Sequence, residues 1–396
     1  MLKKALSVVA ALSFAATVYA AGVELRADHP DTYVVKKGDT LWDISARFLK
    51  SPWYWPEIWQ ANPQIENPHL IYPGDVLSLV YIDGSPHLVV DAPPREPQAD
   101  IGPQMRDEGE TNAIPPLPYA AVRSFLSRPH ILSEEDYQAA PYVMGLEENR
   151  LRAVDKSLIY VRNLGPDVAV GQRMLIVRPT VVFREVPEGW LWNRDQRRVK
   201  VQPWSYSDQW HWSFSEWIAS RGDVLGHEVL EIGNATVSSV GDPGTLYVSY
   251  ADMEIRKGDL LLPAEDALPY ELNFYPRPPK SVPDKMRVVA LTGHGLTAAG
   301  PYEVVVLTKG AQDGIESGEV FSIYQPGERI DDEIAYPKGG VRGFFNPRDK
   351  MEALPDEFIG HVMVFRTFDR VSYGLVMSSV RPVYLGAHLR EPTEIP

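Results

Sequence analysis

The stretch from residue 33 to 81 constrains the fold more tightly than any other, because turn and cap residues stand in it at fixed offsets from apolar ones. A β-prone run at 33–35 meets Gly38-Asp39-Thr40. There Thr40 can cap a helix, and Asp43, three residues on, can close a capping box. Leu41, Ile44 and Phe48 fall at i, i+3 and i+7, one apolar face of that helix. Pro56 suits the first turn of a second helix, and Asn62-Pro63 stops it. Tyr72-Pro73-Gly74 is turn chemistry leading into a closing strand at 76–80. The spacing therefore predicts strand–helix–helix–strand within residues 31–82.

The Gly-Asp-Thr-Leu turn, Trp42, the Asn62-Pro63-Gln64-Ile65 loop and the Tyr-Pro-Gly turn together resemble a LysM domain, the small module that grips the N-acetylated glycan of peptidoglycan and chitin. The resemblance implies a shallow sugar groove between two loops. Gly38, Asp39, Thr40 and Leu41 would form one wall, and Asn62, Pro63, Gln64 and Ile65 the other. Backbone amides would meet the N-acetyl groups, and apolar side chains would pack on the C–H faces of the rings. Trp42, Trp53, Trp55 and Trp59 read as packing rather than as sugar platforms, since a small domain needs their large apolar surface inside.

The N-terminus reads as a secretory signal over residues 1–20. Lys3 and Lys4 form the charged region, 5–18 is apolar, and Val18-Tyr19-Ala20 is a cleavage site, placing the protein in the periplasm. The chain has no cysteine, so the exported protein must hold itself together without disulfides, and it has no lipid-attachment cysteine. No later segment reaches 18 uncharged apolar residues, and no direct membrane insertion is expected. Formal net charge is −14, and −16 once Lys3 and Lys4 are removed. That acidity repels nucleic acid phosphates, so a nucleic-acid partner is excluded, and any wall binding has to come from the groove rather than from the field.

Residues 83–118 hold eight prolines and few large apolar residues, and read as a Pro-rich linker. Beyond 119 the chain turns to short β-branched runs punctuated by glycine, with helical periods near 119–126 and 133–144. Two patterns recur in the order first–second–first–second. The strand–turn–strand of 158–179 returns at 304–326, offset by 147 at Gly171/Gly318. The run opened by Gly226-His227 returns at Gly360-His361, offset by 134, which makes His227 and His361 counterparts. The fold class expected is α+β, mostly β: an N-terminal βααβ module followed by tandem duplicated barrel-like or sandwich-like units at 119–266 and 284–396. A second Pro-rich linker falls at 267–283. Segment 180–223 holds six of the ten tryptophans and reads as an insertion, either packing on its own barrel or facing a partner.

Catalytic signatures are missing. With no thiol there is no cysteine nucleophile; no serine has a lysine three residues on; and Gly-x-Ser-x-Gly, His-Glu-x-x-His and His-x-His do not occur. No metal or cofactor is implied. A carboxylate-pair glycosidase leaves no trace in sequence spacing, so a LysM-targeted wall glycosidase stands as a third reading. The whole mature chain resembles the type IV pilus secretin-associated (TsaP) family, whose C-terminal part is related to that of the flagellar assembly protein FlgT; 364–377 is the most family-like stretch of the tail. That resemblance implies a non-catalytic periplasmic protein whose head holds peptidoglycan and whose tail attaches to an outer-membrane secretin or pilus assembly protein. The alternative is a scaffold or regulator for another envelope machine.

Overall fold

The computed structural model describes residues 23–59, 71–82, 84–90, 121–122, 125, 129–185, 223–264, 275–292, 298–327, 329–331, 334 and 351–394. The expected signal segment, the second wall of the groove (62–65) and most of the Trp-rich segment lie outside these residues. The chain is mostly β and divides into two compact units. One takes in Met1–Pro118 with Phe274–Pro278 and Thr393–Pro396, the other Tyr119–Asn273 with Pro279–Pro392.

In the first unit, β1 (Thr32–Val34) pairs antiparallel with β2 (Val76–Ile82), and β2 pairs with β3 (Ser85–Val90). Helices α1 (Leu41–Phe48) and α2 (Trp55–Trp59), joined by a 3₁₀ turn at Pro52–Tyr54, complete the expected strand–helix–helix–strand order. The third strand corrects the linker boundary. Leu88 and Val90 of β3 join Leu41, Ile44, Phe48, Ile58, Ile71 and Leu77 in one core, so the chain from 85 to 90 belongs to the module and not to the linker. All four tryptophans of this region are buried, between 2 % and 6 % exposed, as their size predicts.

The second unit holds two six-stranded barrels. The first is built from β5 (Tyr142–Leu146), β6 (Leu158–Arg162), β7 (Arg173–Glu185), β8 (Asp223–Ser239), β9 (Gly244–Ala251) and β10 (Leu260–Pro263), and β4 (Pro129–Leu132) lies ahead of it on the edge of β8. Its strands pair in the cyclic order β5-β6-β9-β8-β7-β10, and β10 returns to β5. The second consists of β11 (Val288–Leu291), β12 (Val304–Thr308), β13 (Val320–Gln325), β16 (Glu357–Thr367), β17 (Val371–Ser379) and β18 (His388–Arg390). A small hairpin, β14 (Arg329–Asp331) and β15 (Met351–Ala353), is carried between β13 and β16. Here the cycle is β11-β12-β17-β16-β13-β18, closed by the bridge Arg287–His388. The two orders coincide strand for strand.

The correspondence extends to single residues. Bulges fall at matching places, between Val143/Gly145 and Val288/Ala290, and between Val237/Ser239 and Val364/Arg366. The isolated bridges Ala153–Ile255 and Ala299–Val383 also match. Inside, Val143, Met174, Ile176, Ile232, Val248 and Leu261 of one core occupy the positions of Val288, Phe321, Ile323, Ile359, Val376 and Leu389 of the other. This register corrects the expected pairing of Gly226 with Gly360. Gly360 pairs with Ile323 and Ser379, and in the first barrel Gly233 pairs with Ile176 and Ala251. A Cβ at Gly233 would come within 2.4 Å of the Tyr250 carbonyl oxygen, and one at Gly360 within 1.9 Å of that of Ser378. Both sites require glycine, because β8 and β9, like β16 and β17, approach too closely for a side chain.

His227 and His361 are accordingly not counterparts. Buried His361 lies in its barrel with Nδ1 3.2 Å from the Ser378 hydroxyl. His227 lies on an arm formed where β7 and β8 run on beyond the barrel, and β4 widens this arm to three strands. Helix α3 (Glu134–Ala139) covers one side of the arm: the Tyr137 ring stacks on His227 at 4.0 Å, and His227 Nε2 is 2.6 Å from Glu134 Oε2. The helix expected over 133–144 thus stops at 139, ahead of Pro141, and the chain enters β5. The second copy runs its third and fourth strands on in the same way, into β14 and β15, so the extra length of the first copy falls within 186–222, outside the described residues. At the other supposed linker, Val282 packs on the second core and the Lys280 N–H donates to buried Glu319. The chain from 280 onward belongs to the barrel.

Candidate functional site

The described wall of the candidate groove is the turn from β1 into α1. Its backbone follows from one carboxylate. Asp39 Oδ2 accepts the Lys36 N–H at 2.9 Å and the Tyr33 hydroxyl at 2.8 Å, while the Asp39 N–H donates back to the Lys36 carbonyl at 3.2 Å. Gly38, at φ +95°, supplies the left-handed residue that such a turn needs in its third position. Burial and the Asp39 carboxylate raise the Tyr33 phenol pKa above its ordinary value. The Arg47 guanidinium lies over the Tyr33 ring at 4.8 Å, so ring and turn are fixed from both sides.

The neighbouring turn is built identically. Asp75 Oδ2 accepts the Tyr72 N–H at 2.9 Å, the Asp75 N–H returns to the Tyr72 carbonyl at 3.0 Å, and Gly74 has φ +100°. Val35 joins the two turns, its N–H donating to the Asp75 carbonyl and its carbonyl accepting from Gly74 N–H, both at 2.9 Å. The tetrapeptide x-x-Gly-Asp carries this device at Lys36–Asp39 and Tyr72–Asp75 and again at Arg256–Asp259 in the first barrel, whereas at Ser239–Asp242 the aspartate instead accepts the Asn163 N–H. Reading the sequence element by element found the glycines but missed that the aspartates fold the turns.

Of the four described candidates, Gly38 is exposed and Asp39 is half-buried. Thr40 and Leu41 are each only 3 % exposed. The Thr40 side chain is engaged in the predicted capping box: its Oγ1 accepts the Asp43 N–H at 3.1 Å and donates to Asp43 Oδ2 at 2.7 Å, and the Thr40 N–H donates to the same oxygen at 3.1 Å. Leu41 belongs to the core. The structure thus brings Gly38 to Leu41 together in one rigid turn, whose accessible surface is the Gly38 backbone and the edge of Asp39. Asn62, Pro63, Gln64 and Ile65 lie outside the described residues.

Comparison with known families matches this stretch. Residues 33–80 are a LysM domain. The uncharacterized protein YqbP of Bacillus subtilis (strain 168) is 40 % identical over 60 residues, covering 13 % of this chain and 27 % of the relative. The chain therefore covers about a quarter of that relative's length. A LysM domain is a binding module for peptidoglycan or related carbohydrate. Among the described residues, no helix is long and apolar enough to cross a membrane.

Proposed function

We propose that the LysM domain holds N-acetylated glycan strands of peptidoglycan. Gly38, Asp39, Thr40 and Leu41 would line one wall of the groove, and Asn62, Pro63, Gln64 and Ile65 the other. On this reading Thr40 and Leu41 act by shaping the wall from beneath, and the backbone at Gly38 meets the sugar. The observation that carries the proposal is the turn itself. It is exposed at its glycine and pinned below by Asp39, Tyr33 and the capping box, so its amides are preorganised for a neutral N-acetyl group. The whole protein then serves as a non-catalytic periplasmic anchor, its barrels fastening an outer-membrane secretin or type IV pilus assembly to the wall. Several copies around one pore would strengthen a weak groove by ~10²–10⁴ through effective concentration.

The test is co-sedimentation of the full chain with purified sacculi, alone and with isolated secretin complexes. The unmodified chain should pellet, and Asn62→Arg should stay largely in the supernatant with an unchanged circular dichroism spectrum. A chain that never pellets would remove the glycan reading. One that pellets with sacculi and ignores secretin would leave a wall-bound scaffold for another machine. Release of soluble muropeptides would make it an enzyme.

A further inference from the structure

The two barrels present equivalent outer faces with different fates. In the second barrel the outward positions of β11, β12, β16 and β17 are buried: Val289, Val304, Val306, Met363, Phe365, Tyr373, Leu375 and Met377 are all at most 6 % exposed. The arm of the first barrel packs against this face. The Tyr373 hydroxyl donates to Glu228 Oε2 at 2.7 Å, and the other oxygen of that carboxylate accepts from Thr180 at 2.7 Å. Arg370 donates to the Val224 carbonyl at 2.6 Å; Arg366 donates to the Phe125 carbonyl at 2.8 Å, and the Phe125 ring meets Tyr373 edge-on at 6.1 Å. The arm of copy one thus sits on the face of copy two.

Such a contact joins two different surfaces, and each copy has both. Two halves are therefore left over. The matching face of the first barrel, on β5, β6 and β9, is not covered by any of the described residues and carries Met144 at 39 % and Tyr247 at 40 % exposure, with Leu158 and Tyr160 half-buried beside them. The matching arm of the second barrel is the β14–β15 hairpin, which continues β13 and β16 as the first arm continues β7 and β8. It leaves Ile330 and Leu354 each 44 % exposed. Heterologous surfaces repeated along one chain propagate when the terminal pair is complementary.

We propose that the face of the first barrel receives the β14–β15 hairpin of a second copy of this chain, so that molecules join head to tail. The occupant is another copy because, within the chain, the corresponding arm of the first repeat already sits on the corresponding face of the second. The open face mixes Met144, Leu158, Tyr160 and Tyr247 with Thr245 and Ser249, a composition that suits an interface that must also survive in water. The inference does not depend on glycan binding, and it would supply the array of heads that avidity needs.

Sedimentation velocity of the full chain over a concentration series tests it. The expected result is a weight-average mass that climbs past dimer as concentration rises. The pair Met144→Asp and Tyr247→Asp, made together, should hold the chain at monomer, and so should Ile330→Asp with Leu354→Asp. All four positions are exposed, so melting temperatures should not move. Mixing the two double variants leaves one intact junction and should give a dimer that grows no further. A monomer at every soluble concentration, an association that neither variant weakens, or a mixture that stays monomeric would each overturn the proposal.

Discussion

At the positions where the second barrel has Tyr373 and Leu375, both fully buried, the first has Thr245 and Tyr247, half-buried and exposed. Facing inward on the same strands, the two barrels match apolar with apolar at most core positions. The inside of a small closed barrel is dictated by its own geometry, which admits a fixed set of side-chain volumes whatever surrounds it. Its outside answers only to its neighbours. The second barrel is a partner to the first barrel's arm and its outer strands are apolar on both faces, whereas the first keeps serine and threonine at Thr236, Ser238 and Ser249 on strands that look into water.

The sharpest way to break the pair is through a link that one barrel has and the other lacks. Arg178 forms a two-pronged ion pair with Asp259, both bonds 2.8 Å long, with the carboxylate side chain 4 % exposed. The corresponding residues of the second barrel are Gln325 and Ala387. Arg178→Met leaves a buried carboxylate without its counter-charge, held among the described residues only by the Arg256 N–H, and should cost about 3–5 kcal/mol in urea unfolding, while Gln325→Met should stay within about 0.5 kcal/mol. Next in size is the contrast of faces. Leu375→Ala should cost about 2–4 kcal/mol, having no room to collapse, and Tyr247→Ala about 0.5 kcal/mol or less by the same measurement.

A finer test removes one oxygen. Tyr373→Phe deletes the bond to Glu228 but leaves that carboxylate its bond from Thr180, so a loss of about 1–2 kcal/mol is expected, with no detectable loss for Thr245→Val in the first barrel. The smallest effect is a pH dependence on the arm. The hydrogen bond to His227, with help from Gln138, holds the Glu134 carboxyl below its ordinary pKa. Its contribution to stability is therefore present at neutral pH and above the usual carboxylate range, and is lost as pH falls through the lowered pKa. Glu134→Gln should flatten the acid side of a melting-temperature profile and leave its neutral side nearly unchanged.

What could be read in the chain follows from how local each signal is. The capping box of Thr40 and Asp43 and the apolar spacing of Leu41, Ile44 and Phe48 involve neighbours in sequence, and they appear as expected. The recurrence of two strand patterns was legible because a repeated core needs repeated residues, but its register was misjudged by seven residues at Gly226. The His that follows both glycines made a better textual match than Gly233, whose need to be glycine comes from the approach of Tyr250 on another strand. The third strand of the LysM domain hid behind Pro86, which sits at the second residue of an edge strand, where no ladder N–H is needed.

The LysM domain, the β class of the tail and the presence of two similar halves are written locally in the chain, because caps, turns and apolar periods are properties of adjacent residues. Folding in three dimensions decided that Thr40 and Leu41 are buried beneath their turn, that β7 and β8 run on into an arm, and that the second half offers that arm a buried face. Those outcomes rest on contacts such as Glu228 with Tyr373, 145 residues apart, and no local pattern specifies which surfaces will meet.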